Sequence, residues 1–171
     1  NYCQGVYHTC RKSIRIRRHV NQQHSTLNRF IMNTATPAII PMLAYEDGLA
    51  AMDWLCSAFG FSAAARIIDD DGKLAHGELT LGSGKIMIAS PGPDYQSPKH
   101  HRKVCDVTDK WYQVPYIING CLVYVEDIRK HYLTAKAYGA VILSEIEEGG
   151  PGMRYRAEDP EGHRWMFIER C

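Results

Sequence analysis

The stretch PMLAYEDGLAAMDWLCSAFGF, residues 41–61, decides the fold, because its pattern returns as CLVYVEDIRKHYLTAKAYGA at residues 121–140. Glu46-Asp47 in the first copy corresponds to Glu126-Asp127 in the second, at an offset of 80 residues. Identity between the copies is low, but their elements follow in the same order, which is typical of an internal duplication. We therefore expect two modules of similar structure.

Each copy has the pattern of a short buried strand followed by a helix. The apolar runs Ala38–Tyr45 and Cys121–Val125 favour strands, and apolar residues then recur at helical spacing. A carboxylate before each helix can accept hydrogen bonds from the first turn, and a glycine after it suits the left-handed C′ position. The predicted N-caps are Asp47 and Asp127, and the predicted C′ glycines are Gly60 and Gly139.

Three strand-like runs separated by turn residues follow each helix. They are Ala63–Ile68, Leu74–Leu81 and Lys85–Ser90 in the first copy, and Val141–Ile146, Met153–Ala157 and Arg164–Glu169 in the second. Each module is thus βαβββ, and we expect an α+β protein in which two modules form an eight-stranded, incompletely closed curved sheet with a concave cleft. In the second of these runs, alternation directs Ala75 and Gly77 toward the helix and His76 and Glu78 toward the cleft or into water.

The charges are unevenly distributed along the chain. The net charge is +1, yet residues 1–31 contain six Lys and Arg and no acid, so the other 140 residues carry −5. We expect a domain over 32–171, with module one at about 36–90, a linker or lid at about 91–117 and module two at about 118–170. Residues 1–31 have four interpretations: an artificial or upstream extension before a start at Met32, a transit peptide, a basic arm for nucleic acid or membranes, or an ordered extension.

The composition also limits location and partners. The mildly acidic body argues against binding along nucleic-acid phosphates. No apolar run is long enough to span a membrane, and the N-terminus lacks the apolar core of a secretory signal. The six cysteines form no CxxC pair, so free thiols in a reducing compartment are the simplest interpretation. We therefore expect a cytoplasmic protein without nucleic-acid or membrane partners.

The paired modules, opening with YEDGLAAMDWLCSAFGF at 45–61 and closing with YRAEDPEGHRWMFIE at 155–169, resemble the vicinal oxygen chelate superfamily. That superfamily includes glyoxalase I, extradiol dioxygenases, methylmalonyl-CoA epimerase and the bleomycin resistance proteins. The resemblance covers about Pro37–Arg170 and is more specific for the fold than for a reaction. It implies a small-molecule site in the cleft and a homodimer, although pairing of the two modules within one chain could also complete the cleft in a monomer.

The resemblance also implies where a metal would bind. Metal-dependent members hold it with His, Gln and Glu side chains on the first and last strands of each module. Matched strand by strand, these positions fall on Ile40 and Ile88 and on Gly120 and Met166, at offsets of 80 and 78. None of them offers the oxygen or imidazole nitrogen that a divalent cation needs, so we expect no metal and no other cofactor. A shift of one residue gives Pro41, Met87, Cys121 and Trp165, which are no better.

Several side chains remain as candidates for contact with an organic ligand. Trp111 and Tyr116 lie in the long segment Pro91–Ile117 and could stack on a planar molecule or simply anchor the segment. Arg164 could pair with an anionic ligand or extend to the rim of the cleft. The predicted ligand-binding set is Trp111, Tyr116, Arg164, Met166, Tyr155, Ile40 and Ile88.

These features favour a small-molecule-binding protein of the glyoxalase/bleomycin resistance type, in a sequestration or resistance role, rather than an enzyme. An alternative is a lyase, isomerase or dioxygenase with a divalent metal at a relocated site, for which His76 and Glu78 are the catalytic candidates. The simpler interpretation of the same two residues is a solvent-facing or cross-strand hydrogen-bonded pair without function, because a two-residue motif is not specific. A third alternative is a structural or regulatory dimer module that binds no ligand.

Overall fold

The structure, a computed structural model, describes residues 37, 39–114, 119–150 and 152–170. These residues form eight strands and four helices, with one βαβββ unit on each side of a helical linker. In chain order the elements are β1 (Met42–Ala44), α1 (Gly48–Phe59), β2 (Ser62–Ile68), β3 (Leu74–Leu81), β4 (Gly84–Ala89), α2 (Pro98–Val104), α3 (Asp106–Tyr112), β5 (Cys121–Val125), α4 (Ile128–Ala137), β6 (Val141–Gly149), β7 (Gly152–Glu158) and β8 (Arg164–Glu169).

The predicted helix ends are confirmed in both modules. The Asp47 carboxylate accepts from the backbone N–H of Ala50 at 3.0 Å, and Asp127 accepts from Lys130 at 2.9 Å. The chain leaves each helix through a glycine with positive φ, at 60 and at 139. A side chain would be strained in that conformation, which is why these helices end where the glycines stand.

The strands form two sheets of four, in the orders β1-β4-β3-β2 and β5-β8-β7-β6. The pairs β1–β4 and β5–β8 are parallel and the others are antiparallel. Parallel neighbours cannot be joined by a hairpin, so within each module the helix belongs to the crossover between them. The predicted α+β class and the incompletely closed sheet are confirmed, with the eight strands divided between two hydrogen-bonded sheets.

One face of each sheet packs beneath its helix. Gly77 on β3 is needed there, since a Cβ atom would lie 3.0 Å from Leu74, 3.1 Å from Ile88 and 3.3 Å from the Met52 sulfur of α1.

The alternation predicted for β3 fails at Ala75, which is exposed. The β2–β3 register skips this residue, and the irregularity turns the buried Leu74 toward α1 instead.

The core is continuous between the modules on the helix side. The Phe59 ring at the end of α1 lies 4.7 Å from Phe167 and 5.4 Å from Trp165, both on β8, measured between ring centroids. The opposite face of each sheet points away from α1 and α4, and we call it the open face. The open faces and the line where the modules meet are therefore the candidate surfaces for a functional site.

Two predicted segments differ in the structure. The strand predicted over Ala38–Tyr45 is limited to Met42–Ala44, because Pro41 has no N–H to donate and contributes only its carbonyl to Met87. The segment 91–117, predicted as a linker or lid, contains α2 and α3. None of the helices among the described residues has both the length and the apolar character to cross a membrane.

Candidate functional site

The open face of the first sheet carries a row of side chains across its four strands. Met87 on β4 lies opposite Met42 on β1 and Glu78 on β3, and Glu78 lies opposite Ala65 on β2. Residues paired across neighbouring strands point to the same face, so two apolar side chains lie beside a carboxylate. Met42 is 76% exposed, so this apolar row is accessible from outside.

The second sheet repeats the arrangement with a different charge. Met166 on β8 lies opposite Leu122 on β5 and Arg156 on β7, and Arg156 lies opposite Ser144 on β6. The apolar pair therefore lies beside a guanidinium, whereas the equivalent pair in the first sheet lies beside a carboxylate. We refer to Met42, Met87, Leu122 and Met166 together as the apolar floor.

The register corrects one position assigned from the sequence. Ile88 lies opposite Leu43 and is 2% exposed, because its side chain packs beneath α1 beside Gly77. We expected Ile88 to point to the open face, but it points to the helix side. Met87, the neighbouring residue, occupies that position.

The cause of the error is one extra residue in the second module. Four residues separate the paired Thr80 and Lys85, but five separate the equivalent pair Glu158 and Arg164. The repeat offset therefore rises from 78 before this turn to 79 after it, and Met87 becomes the equivalent of Met166. The other predicted positions, Ile40 and Gly120, are half-buried and each precedes the first strand of its module.

The apolar floor does not fit a divalent cation such as Zn²⁺ or Mn²⁺. Three thioethers and one leucine supply none of the carboxylate, imidazole or thiolate groups that such ions require. Within residues 37, 39–114, 119–150 and 152–170, no three His, Cys, Asp or Glu side chains converge in a way that could hold a metal ion. The apolar floor thus offers no donor set for such an ion.

The structure brings the predicted pair His76 and Glu78 together, and it adds a third group. Nε2 of His76 lies 3.3 Å from Oε1 of Glu78, and the Lys85 ammonium donates to Oε2 at 2.6 Å. The Lys85 hydrogen bond, and secondly that of His76, lowers the pKa of Glu78, which therefore stays ionised. The Lys85 ammonium offsets the negative charge of Glu78. It would also repel a metal ion placed at this carboxylate.

Two arginines of β7, Arg154 and Arg156, occupy the corresponding region of the second open face. Arg156 donates to Oε1 of Glu147 at 2.6 Å, and Nε of Arg154 donates to the same oxygen at 3.1 Å. Hydrogen bonds from Arg156 and then Arg154 lower the pKa of Glu147. Two positive groups thus share one carboxylate beside the apolar floor.

The linker helices cover one end of this second open face. Glu158 accepts two hydrogen bonds from Arg102 of α2, both at 3.1 Å, and one from Nε of Arg164 at 3.1 Å. The Tyr112 ring of α3 lies 4.6 Å from each of the two guanidinium carbons. Charge and stacking together hold α2 and α3 against the sheet.

These contacts change the interpretation of Arg164. We expected it to pair with an anionic ligand or to extend to the rim, but it is 1% exposed. Besides Glu158, its guanidinium donates to the backbone carbonyls of Tyr112 and Val114. In the structure Arg164 fastens the linker to β8.

The three remaining aromatic candidates are Trp111, Tyr116 and Tyr155. Trp111 on α3 is 59% exposed, and Tyr116 lies outside the described residues. Tyr155, which we listed as a ligand-binding candidate, does not reach the cleft: it is fully buried on the helix side, where its hydroxyl lies 2.7 Å from Nδ1 of His131. The Phe59 carbonyl can only accept, so Nε2 of His131 donates to it at 3.2 Å, and in the neutral imidazole Nδ1 then accepts from Tyr155. Burial raises the pKa of Tyr155 and lowers that of His131.

A cavity of about 480 Å³ opens between the first strands of the two modules. It includes Leu122 of the apolar floor, and the aromatic rings of Phe61, Trp165 and Tyr124 line it together with Lys85. Ligand sites for drug-sized molecules commonly have volumes of about 300–1,000 Å³ and mostly apolar walls. The sequence did not single out Met42, Leu122, Lys85 or Arg156, and it pointed to Met87 only through a one-residue shift. Strand alternation combined with the correct turn length would have placed Met87 on the open face.

The fold and sequence place the chain in a known family. The model of the Glyoxalase/Bleomycin resistance protein/Dioxygenase superfamily matches residues 39–167. The chain therefore belongs to that superfamily. An uncharacterized protein of Mycobacterium bovis, Mb0911c, is 26% identical over 136 residues, which cover 77% of this chain and 82% of that protein.

Two solved structures share the architecture. TioX from Micromonospora sp. ML1 is 26% identical, with a TM-score of 0.56 over 78% of this chain and 98% of TioX. TnmS3, an antibiotic binding protein from Streptomyces sp. CB03234, is 11% identical, with a TM-score of 0.52 over 80% of this chain and 99% of TnmS3. At 11% identity the second likeness shows the fold alone.

Proposed function

We propose that this protein binds a small, largely apolar organic molecule against the apolar floor, without a divalent metal. The observation that carries the proposal is the identity of the four floor residues Met42, Met87, Leu122 and Met166. Thioether side chains are flexible and polarizable, so they adapt to apolar ligands of varied shape. The inter-module cavity of about 480 Å³ adjoins the floor at Leu122, the one floor residue that lines it.

A sequestration or resistance role follows from such binding. TnmS3, which shares the fold, is described as an antibiotic binding protein, and this supports the same general role here. We place the protein in the cytoplasm, since Cys56, Cys105 and Cys121 are free thiols. Binding alone would then remove a toxic compound from solution, with no chemical step.

We further propose a homodimer. Apolar side chains outside the floor are exposed around the inter-module cavity, among them Ile39 and Tyr124. Contiguous exposed apolar surface commonly marks an interface or a ligand site. Light scattering should give a mass about twice the 19.4 kDa of one chain, whereas a mass of one chain would contradict this part of the proposal.

The alternative is a metal-dependent lyase, isomerase or dioxygenase whose site includes His76 and Glu78. The 3.3 Å contact between these residues favours it, and the Lys85 ammonium opposes it. Elemental analysis of protein purified without added metal separates the two proposals. One tightly bound metal per chain, lost in His76→Ala, would replace the binding proposal with the enzymatic one.

The binding proposal is tested with N-phenyl-1-naphthylamine, a neutral apolar fluorophore, as the probe. We expect saturable binding that Met87→Gln and Met166→Gln each weaken by about fivefold, corresponding to about 1 kcal/mol of lost apolar contact. The matched control is Leu133→Gln, at an exposed apolar residue on α4. Equal affinity in all four proteins would show that the floor is not the site.

A further inference from the structure

The two open faces differ in charge although they share one architecture. On the first sheet, Lys85 balances Glu78 in a pair of one cation and one anion. On the second sheet, Arg154 and Arg156 share a single carboxylate oxygen of Glu147. The repeat has therefore placed a balanced pair beside one half of the apolar floor and an excess positive charge beside the other.

Neighbouring acids do not remove this excess. Glu145 accepts a 2.8 Å hydrogen bond from the Tyr132 hydroxyl of α4, and thus points to the helix side. Glu148 lies opposite Met153, one residue beyond the Glu147–Arg154 pair, and therefore on the other face of the strand. Of the acids along β6, Glu147 alone contacts the two arginines among the described residues.

The imbalance continues along the same sheet. Arg102 and Arg164 likewise share one acid, Glu158, at the end covered by the linker. The two clusters together hold four guanidinium groups and two carboxylates. Partial burial strengthens their field, since the side chains of Arg156 and Arg154 are 14% and 29% exposed.

We propose that the ligand carries an anionic group, a carboxylate, sulfonate or phosphate, which binds beside Arg156 while its apolar body covers Met166. The proposal rests on the proposed function and specifies the ligand class of that site. Arg156 and Met166 are direct cross-strand neighbours, so one molecule of modest size contacts both. The planar guanidinium of Arg156 offers the paired N–H donors that carboxylate and phosphate oxygens accept.

Two fluorophores with the same aromatic body provide the test. N-phenyl-1-naphthylamine is neutral, and 8-anilinonaphthalene-1-sulfonate adds one sulfonate. We expect Arg156→Gln to weaken the sulfonate probe by about tenfold and to leave the neutral probe within about twofold, as for the loss of one partly buried charge pair. Glu147→Gln should tighten the sulfonate probe by about threefold, because it frees the shared donors.

The controls separate this inference from the function on which it rests. Arg66→Gln removes an arginine that pairs with Asp53 on the helix side and should leave both probes unchanged. If Arg156→Gln and Glu147→Gln change the affinity for both probes equally, or for neither probe, the anionic-ligand inference is wrong. Met166→Gln then still tests whether the probes bind at the apolar floor. If the wild-type protein binds neither probe, the proposed function fails, and this inference fails with it.

Discussion

The Tyr45 hydroxyl, just after β1, donates a 2.7 Å hydrogen bond to Oδ2 of Asp159, 114 residues further along the chain and in the other module. Asp159 is 2% exposed and also accepts from Nε1 of Trp165 at 3.1 Å. Its other oxygen accepts from the backbone N–H groups of Glu161 and His163. One buried carboxylate therefore shapes the β7–β8 turn and joins it to the first module.

Tyr45→Phe tests how much this link contributes to stability. The substitution leaves a buried carboxylate with one donor fewer, so we expect a loss of about 2 kcal/mol in the free energy of unfolding, as for hydrogen bonds to charged groups. Urea unfolding measures the loss. The matched control is Tyr138→Phe, at a residue that is more than half exposed, and it should change stability little. Equal effects would mean that the Tyr45–Asp159 bond contributes nothing specific.

His131 should make stability depend on pH in a defined range. Burial lowers its pKa below the ordinary 6.5, so the unfolded chain takes up a proton at higher pH than the folded protein does. The free energy of unfolding should therefore fall as the pH drops below about 6.5, until the folded pKa is reached. His131→Gln should flatten this slope in urea titrations, whereas the exposed His101→Gln should retain it. A slope that survives in His131→Gln would assign it to another group.

The contacts of Arg102 should control local opening of the linker helices. Arg102→Gln removes both hydrogen bonds to Glu158 and one of the guanidinium groups beside Tyr112. We expect backbone amides in α2 and α3 to exchange with solvent about tenfold faster, since the lost pair corresponds to about 1–2 kcal/mol of local stability. Hydrogen exchange by mass spectrometry measures this, with exposed Lys103→Gln as the charge-matched control. Faster exchange throughout the protein would indicate global destabilisation instead.

Gly77→Ala tests the packing beneath α1. An added methyl group would lie 3.0 Å from Leu74 and 3.1 Å from Ile88, closer than ordinary contact distances. We expect overpacking to cost about 1–3 kcal/mol in the free energy of unfolding. Gly92→Ala is the control, because a Cβ atom there meets nothing within 4 Å. Similar stability of the two variants would show that β3 and α1 adjust without cost.

The sequence predicted the features that depend on local pattern. Asp47 and Asp127 cap their helices because capping needs only neighbouring backbone, and the repeat supplied the order of the strands. Ile88 was placed on the wrong face because one extra residue between Glu158 and Arg164 alters the offset. The linker contacts of Arg164 depend on tertiary packing with α2 and α3, for which the sequence offers no periodic signal. The same holds for the contact of Tyr155 with His131, which lie on different elements of the second module.

The dissociation constant of N-phenyl-1-naphthylamine, measured before and after exhaustive treatment of the protein with a chelator, tests the central claim most directly. We expect saturable binding with the same constant in both samples, because the apolar floor contains no ligands for a divalent metal. Binding that disappears on chelation and returns with added metal, or no saturable binding in either sample, would contradict a metal-free site for apolar molecules.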